Sequence, residues 1–598
     1  MNDSRNMILA VALSVLVLLG WGLVSETWFP TANPPTTKVE KGRSVPLPQP
    51  NADPAADSPR ATRDRAIVLA ETPRIRVETP RLSGSINLRG ARIDDLVLTT
   101  HSETIAANSP PVRLFSPAGA AGAYFGQFGW TGQGGLQAPG PDTLWQASGQ
   151  RLTPTTPVTL SWNNGRGQIF QIRLSVDDAY LFSAEQRVIN RGAGPIAVQP
   201  FALVSRAGAS RDLDSWTMHV GPVGVFNGAA NYDNNFSTVS EAGVITRQSS
   251  GGWLGFTDTY WLTAVIPDQG ETVEASFRHN RATDAFQADY QMRPAILPAG
   301  QMLRTTSHIF AGAKEVTLLD AYSASLGTPI ERAIDWGWFR WFMVPIFSLL
   351  NWLFSHIGNF GVAIICLTLI VRAILFPIAN RQFASMAAMR AIQPKQQALQ
   401  ERYKEDKAKL QEELLKLYRE EKVNPVAGCL PILIQIPIFY ALYKVLLLAV
   451  EMRHEPFVLW IRDLAAPDPL TPVNLFGFLP FTPPAILAIG VLPILLGITM
   501  WLQFRLNPQM PDPVQRQIFA LMPWILMFVM ATFAAGLQLY WVTNNIISII
   551  QQRWMYRKHP ALRQPLPAKG TATPPAPPPS PPPPASTPKR SKKSRGRR

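Results

Sequence analysis

The sequence predicts a polytopic membrane protein: six transmembrane helices, made up of an N-terminal anchor and a five-helix core, with a large all-β domain on the far side of the membrane and a helical hairpin on the cytoplasmic side. Three observations predict it. Long uncharged runs alternate with polar segments, residues 66–328 are cut into short β-branched and aromatic runs, and basic residues gather on alternate loops. The 598 residues carry 56 Lys plus Arg against 41 Asp plus Glu, a net charge of +15, which suits several unlike parts rather than one domain. Charged residues make up only 16%, yet 55 prolines argue against a chain embedded in lipid throughout. The two cysteines, Cys366 and Cys429, exclude a disulfide scaffold and a Cys-based zinc site. The seven histidines stand singly, so metal chemistry is not expected.

Met7 to Val24 are 18 uncharged residues, enough to span. This run is longer than the usual signal-peptide core, and Leu23 and Ser25 fit a small-x-small cleavage site badly, so residues 1–28 are read as an uncleaved anchor with its basic end inside. Residues 29–62, rich in Pro, Ala, Asp and Thr without apolar periodicity, read as a tether. Residues 63–330 carry strand signals at close spacing: IRVET, INLRG, DDLVLTT, QIFQIRLSV, FSAEQRVIN, WLTAVIP and TSHIFAG. In residues 331–357 the stretch 335–354 holds four Trp and four Phe with Arg340, which suits an amphipathic helix at the headgroup level and also the early part of a span.

The core, 358–552, contains apolar runs at 358–377, 428–450 and 484–502, then an uncharged run of 33 residues from Ile518 to Ile550. As one helix that run would be about 50 Å long, too long for a hydrocarbon core of about 30 Å and enough for two short spans turning near Gly536. Charge counting supports this. Ten Lys or Arg lie between Pro377 and Gly428, two (Arg453 and Arg462) between Glu451 and Pro483, and twelve without any acid after Ile550. Six spans put both termini, the 378–427 loop and the 503–517 loop in the cytoplasm, whereas five would strand the basic tail outside.

Within that first loop Leu399 and Tyr403, then Leu410, Leu414 and Leu417, recur at helical spacing, with Glu405–Lys409 and Glu412–Lys416 as i,i+4 pairs. An antiparallel hairpin turning near Glu405 and Asp406 follows, with Pro394 interrupting its first arm. A dimerising coiled coil is the alternative, but the arms are short for it. The tail, 553–598, ends in KRSKKSRGRR, a solvated arm that binds polyanions by counterion release. Ribosomal RNA, anionic lipid and simple topology determination all fit it.

Arg372 is the sharpest feature, lying in GVAIICLTLIVRAILFP with no acidic residue in the other predicted spans. Such a charge costs about 2.5–3.5 kcal/mol on insertion scales, so something must solvate it. Thr368 sits one turn earlier on the same face, and Gln435, Gln538, Thr543, Asn544 and Asn545 add polar groups in the third and last spans. Two readings stay open: these groups converge on a wet groove, or Arg372, five residues before Pro377, snorkels to the headgroups. A groove would attract the acidic, polar flank of another protein's transmembrane segment. A solute channel or transporter is the competing class, but the sequence shows no internal repeat, no paired ionisable residues and no nucleotide-binding P-loop.

Four stretches, TLIVRAILFPIANRQFASMAAMRAIQPK (368–395), EEKVNPVAGCLPILIQIPIFYALYKVL (420–446), PFVLWIRDL (456–464) and GLQLYWVTNNIISIIQQ (536–552), resemble the YidC/Oxa family of membrane protein insertases in its long bacterial form. GGWLGFTDTYWLTAVIPD (251–268) and HIFAGAKE (308–315) resemble the periplasmic domain of that form more loosely, and the similarity runs from Met1 to about Lys558. The resemblance implies an insertase and chaperone of the bacterial inner membrane that receives nascent membrane proteins from ribosomes, alone or beside the Sec translocon, without a cofactor or energy source of its own. It implies that Arg372 lies in a hydrophilic groove closed to the periplasm, and that Thr368 and a Tyr of the last span contact substrate. That last-span pair reads Tyr540, Trp541 where the family pattern has two tyrosines, keeping the aromatic surface while removing one hydroxyl. It further implies that the hairpin is needed for insertion, that the 503–517 loop and tail approach the ribosome, and that the periplasmic domain is a β-supersandwich related to sugar-binding folds. No convergent acid/base pair stands in that domain, so an enzyme is not expected.

Overall fold

The computed structural model describes residues 37–40, 43–46, 62–212, 217–421, 430–479, 481, 484, 488–506 and 513–558. The expected anchor (7–24) and nearly all of the basic tail lie outside them. Two compact units divide the chain, one of residues 1–371, 435–498 and 524–544, the other of 372–434, 499–523 and 545–598. Within the expected tether, Thr37–Glu40 pairs antiparallel with Arg43–Pro46, a short ladder that β-branched Thr37, Val39 and Val45 can sustain despite the Pro-rich surroundings.

The first unit holds a nine-stranded and an eleven-stranded sheet, antiparallel except where Arg74–Glu78 runs parallel to Arg151–Leu152. Every segment expected to be extended falls on a strand, although INLRG keeps only Ile86 and Asn87 before turning at Gly90. Gln168–Val176 shows why: Gln168, Phe170, Ile172, Leu174 and Val176 are buried while the residues between them are not. The inner faces of the two sheets meet at Tyr124, whose hydroxyl bonds Thr263 and whose ring packs edge-on to Phe256, and where Gln186 Nε2 donates to the Gly129 carbonyl at 2.8 Å. Two short helices, α1 (Arg65–Ala70, capped by Asp64) and α2 (Phe236–Ala242, capped by Asn235), flank the strands, and α3 (Val316–Leu326) leads out of the sandwich.

Next comes α4 (Arg340–Ile357), closed by Gly358 in the left-handed conformation. It buries Met343, Phe347, Leu350 and Leu353 at helical spacing and leaves Trp341 and Trp352 exposed, the amphipathic pattern expected. Helix α5 (Phe360–Arg402) runs unbroken through Pro377, where the expected span ends, and through Pro394, which corrects the interruption expected in the hairpin's first arm. Each proline deletes only its own N–H and crowds one carbonyl, which a helix held on both sides survives. A turn at 403–406 leads to α6 (Lys407–Glu420), capped by Asp406, and Lys395 Nζ meets Glu421 at 2.5 Å while Gln396 donates to the Tyr418 hydroxyl at 3.0 Å. The remaining helices are α7 (Leu430–Leu448), α8 (Val491–Leu506), α9 (Pro513–Met530) and α10 (Ala535–Lys558).

The long uncharged run does break in two. Its turn occupies residues 531–534, just before the expected Gly536, and Gly536 serves close packing instead: a Cβ there would stand 3.0 Å from Leu446 and 3.2 Å from the Leu464 carbonyl. Among the described residues one stretch, Phe360–Asn380 with mean hydropathy 2.6, is long and apolar enough to cross a membrane, while Gln435–Leu448, Val491–Leu506 and Gln517–Met530 are shorter apolar helical segments. Beyond the expected start of the next span at Pro484, α8 begins at Val491, and the Ala488 amide bonds the Pro484 carbonyl at 3.0 Å.

Candidate functional site

The singled-out polar residues fall into two groups, one in each compact unit. In the first unit Gln435, near the start of α7, donates from Nε2 to the Tyr540 hydroxyl of α10 at 2.5 Å. Tyr540 is 2% exposed and Asn544, one turn on, is buried as well. Trp541 leaves that polar line and packs edge-on to Phe439, ring centres 4.7 Å apart. Thr368 is buried and turns its hydroxyl back to the Ile364 carbonyl at 2.7 Å, so its donor serves its own helix. Gln538 is buried too, but its amide nitrogen donates to the Met530 and Phe533 carbonyls, both at 2.8 Å. That residue closes the α9–α10 turn and is accounted for by the orphan carbonyls at the end of α9.

In the second unit Arg372 is half-buried and donates from Nη2 to the Ser548 hydroxyl of α10 at 2.6 Å. Asn545, almost fully buried, donates to Thr499 Oγ1 of α8 at 3.1 Å. Ser548 and Gln552 continue the buried polar line of α10 at four-residue spacing from Asn544. Sequence reasoning missed Ser548, although its place four residues beyond Asn544 was the available signal.

It also passed over Lys444, a second basic residue within an apolar helix. Lys444 is 2% exposed, donates to the Asp335 carbonyl at 2.5 Å and has that residue's carboxylate at 3.8 Å. Just beyond α7, burial pushes the Glu451 carboxyl up to about 7, and its Oε1 accepts from the Val316 amide at the first turn of α3, 2.9 Å away. Among the described residues no group of three or more His, Cys, Asp or Glu side chains is placed to hold a metal.

A large β-sandwich is joined to apolar helices, and one stretch, Phe360–Asn380, is apolar and long enough for a membrane span, the pattern of a membrane protein class. Residues 352–562 match the family described as 60Kd inner membrane protein, and residues 74–349 match the YidC periplasmic domain. A protein of Zymomonas mobilis named membrane protein insertase YidC is 50% identical over 562 residues, covering 93% of this chain and 96% of that one. Its namesake in Methylobacterium nodulans is 44% identical over 578 residues, covering 93% and 96%. In Rhizobium etli another is 42% identical over 583 residues, covering 94% and 96%. The chain belongs to the YidC family of membrane protein insertases. It is a protein of the inner membrane whose clients are membrane proteins, and it is not an enzyme.

Proposed function

We propose that this insertase moves nascent membrane proteins into the bilayer through a hydrophilic groove centred on Arg372 and lined by Thr368, Gln435, Tyr540, Trp541, Asn544 and Asn545. In this reading six spans leave both termini in the cytoplasm, the 378–427 hairpin and the basic tail meet the ribosome, and the chain also acts as a chaperone, alone or beside the Sec translocon. The hydrogen bond from Arg372 to Ser548 is the observation that carries it. The Ser548 hydroxyl solvates the guanidinium without bringing a charge. The acidic or polar flank of a client segment is the complementary group, and in a medium of low dielectric that attraction is large. Short spans would support the same reading by compressing the bilayer around them.

The test is photocrosslinking from positions 368, 372 and 541 to a ribosome-stalled client, with the outward-facing Ile374, 69% exposed, as control. Adducts are expected from the first three and not from the control. Adducts from none of them, together with solute flux through reconstituted protein, would favour a channel instead. Arg372→Ala should lower insertion about tenfold or more, the equivalent of a lost hydrogen bond to a charged group, with Arg372→Lys recovering part.

A further inference from the structure

We propose that the described stretches 449–479 between α7 and α8 form a lipid-inserted loop, with apolar tips at Val458–Leu459 and Val473–Leu479 seated among the acyl chains of the leaflet opposite the cytoplasm. Residues 469–504 hold no charged side chain, and among the described ones the α-helix begins at Val491. Large apolar side chains crowd outward there: Phe478 is 86% exposed and Leu459 84%, and Val473, Leu475, Phe476, Leu479 and Phe481 are exposed as well. A soluble surface scatters such residues singly and seldom gathers them.

The backbone holds them out. Leu459, Leu475 and Phe476 have φ of 57°, 50° and 60°, left-handed conformations that bulky residues rarely adopt. Meanwhile the roots of both tips are fastened by one buried carboxylate. Asp468 Oδ1 accepts from Trp460 Nε1 at 2.9 Å and the Leu470 amide at 3.0 Å, and Oδ2 accepts from the Leu492 amide at 2.7 Å in the first turn of α8. At the other root Phe457 lies so close to Gly361 that a Cβ there would stand 2.0 Å from its ring, and the Phe457 carbonyl accepts from Asn359 Nδ2 at 3.0 Å. Fixed roots with strained, outward tips suit a wedge rather than a slack connection.

Lipid is the occupant because the loop is tethered at both ends to apolar helices, Leu448 before it and Val491 after it, so it lies at the membrane boundary. The exposed apolar surface continues from the loop onto α8 at Leu495 and Ile498. Exposed Arg462, near the fastened root, is set to meet headgroup phosphates while the tips go deeper. Which leaflet is entered rests on the six-span topology proposed above.

The test uses the full chain in liposomes of phosphatidylethanolamine and phosphatidylglycerol, with Cys366 and Cys429 replaced by Ser and single cysteines at Leu459, Phe478 or Thr104 carrying a nitroxide. Collision with an impermeant nickel chelate should fall about tenfold at 459 and 478 relative to 104, because an ion enters hydrocarbon poorly, while collision with oxygen rises. Equal nickel access at all three positions would overturn the proposal. So would a disulfide formed in high yield between position 478 and a cysteine within residues 7–24, which would make the chain's own anchor the occupant. Topology is read separately: chelate reaching Thr104 only from the cytoplasmic side would refute the six-span reading and leave lipid insertion of the loop standing.

Discussion

Carboxylates packed within the sandwich and the half-buried Arg372 of the helices are partnered differently. In the sandwich each such carboxylate is met by a guanidinium: Asp94 by Arg74, Asp289 by Arg278 at 2.8 Å, Asp258 by Arg206 at 3.1 Å. In the helices Arg372 donates to a neutral oxygen, the Ser548 hydroxyl. The first arrangement holds a fold closed, since removing either partner leaves the other charge stranded. In the proposed groove the second would solvate a charge with a group that a client can replace.

The sharpest way to break this comparison is Asp289→Ala. Asp289 is fully buried, and burial raises its carboxyl pKa while Arg278 and Gln287 oppose the rise. Truncation leaves Arg278 facing a dry cavity and should cost about 3–5 kcal/mol, read as a lowered midpoint in urea by tryptophan fluorescence. A loss below about 1 kcal/mol would show that the pair is solvated and that the contrast is false.

Glu451→Gln gives a smaller effect, with its sign set by linkage. The carboxyl titrates near 4.5 when unfolded and is pushed to about 7 in the fold by burial, with Glu315 adding repulsion and the Val316 amide opposing. The native state therefore holds the proton more tightly, so stability falls as pH rises from about 4.5 to about 7 and is level on either side. The Gln variant should lose that slope and gain up to about 3 kcal/mol above pH 7, while its carbonyl keeps the Val316 bond. Thermal melts in nanodiscs from pH 4.5 to 8 check it, and a flat profile for the parent chain would refute it.

Local patterns were legible in the sequence, long-range partnerships less so. The alternation of Gln168–Val176 and the apolar face of α4 announce themselves, because burial on one side imposes a period of two or of 3.6. The passage of α5 through two prolines is not visible, since whether a helix survives a lost N–H depends on what braces it. Of the candidate residues, Arg372 and Tyr540 stand out by type in an apolar run, whereas Ser548 and Lys444 become notable only once their partners are known. Gln538 shows the reverse error: a polar residue in a span can be absorbed by its own helix end.

The finest test separates Tyr540 from Trp541. Tyr540→Phe removes the acceptor that Gln435 uses and leaves a half-buried amide donor facing a ring edge, a loss of about 1 kcal/mol in melting experiments. Gln435→Met removes the donor, and the double variant should cost less than the sum by about 1 kcal/mol if the two groups serve one another. Trp541→Tyr restores a hydroxyl but keeps a ring against Phe439, so it should change stability by only a few tenths of a kcal/mol. Insertion assays on the same three variants then separate packing from client contact. If Tyr540→Phe slows insertion no more than its melting loss explains while Trp541→Ala slows it strongly, the aromatic surface is what clients touch, and the Gln435–Tyr540 bond belongs with the locked pairs of the sandwich.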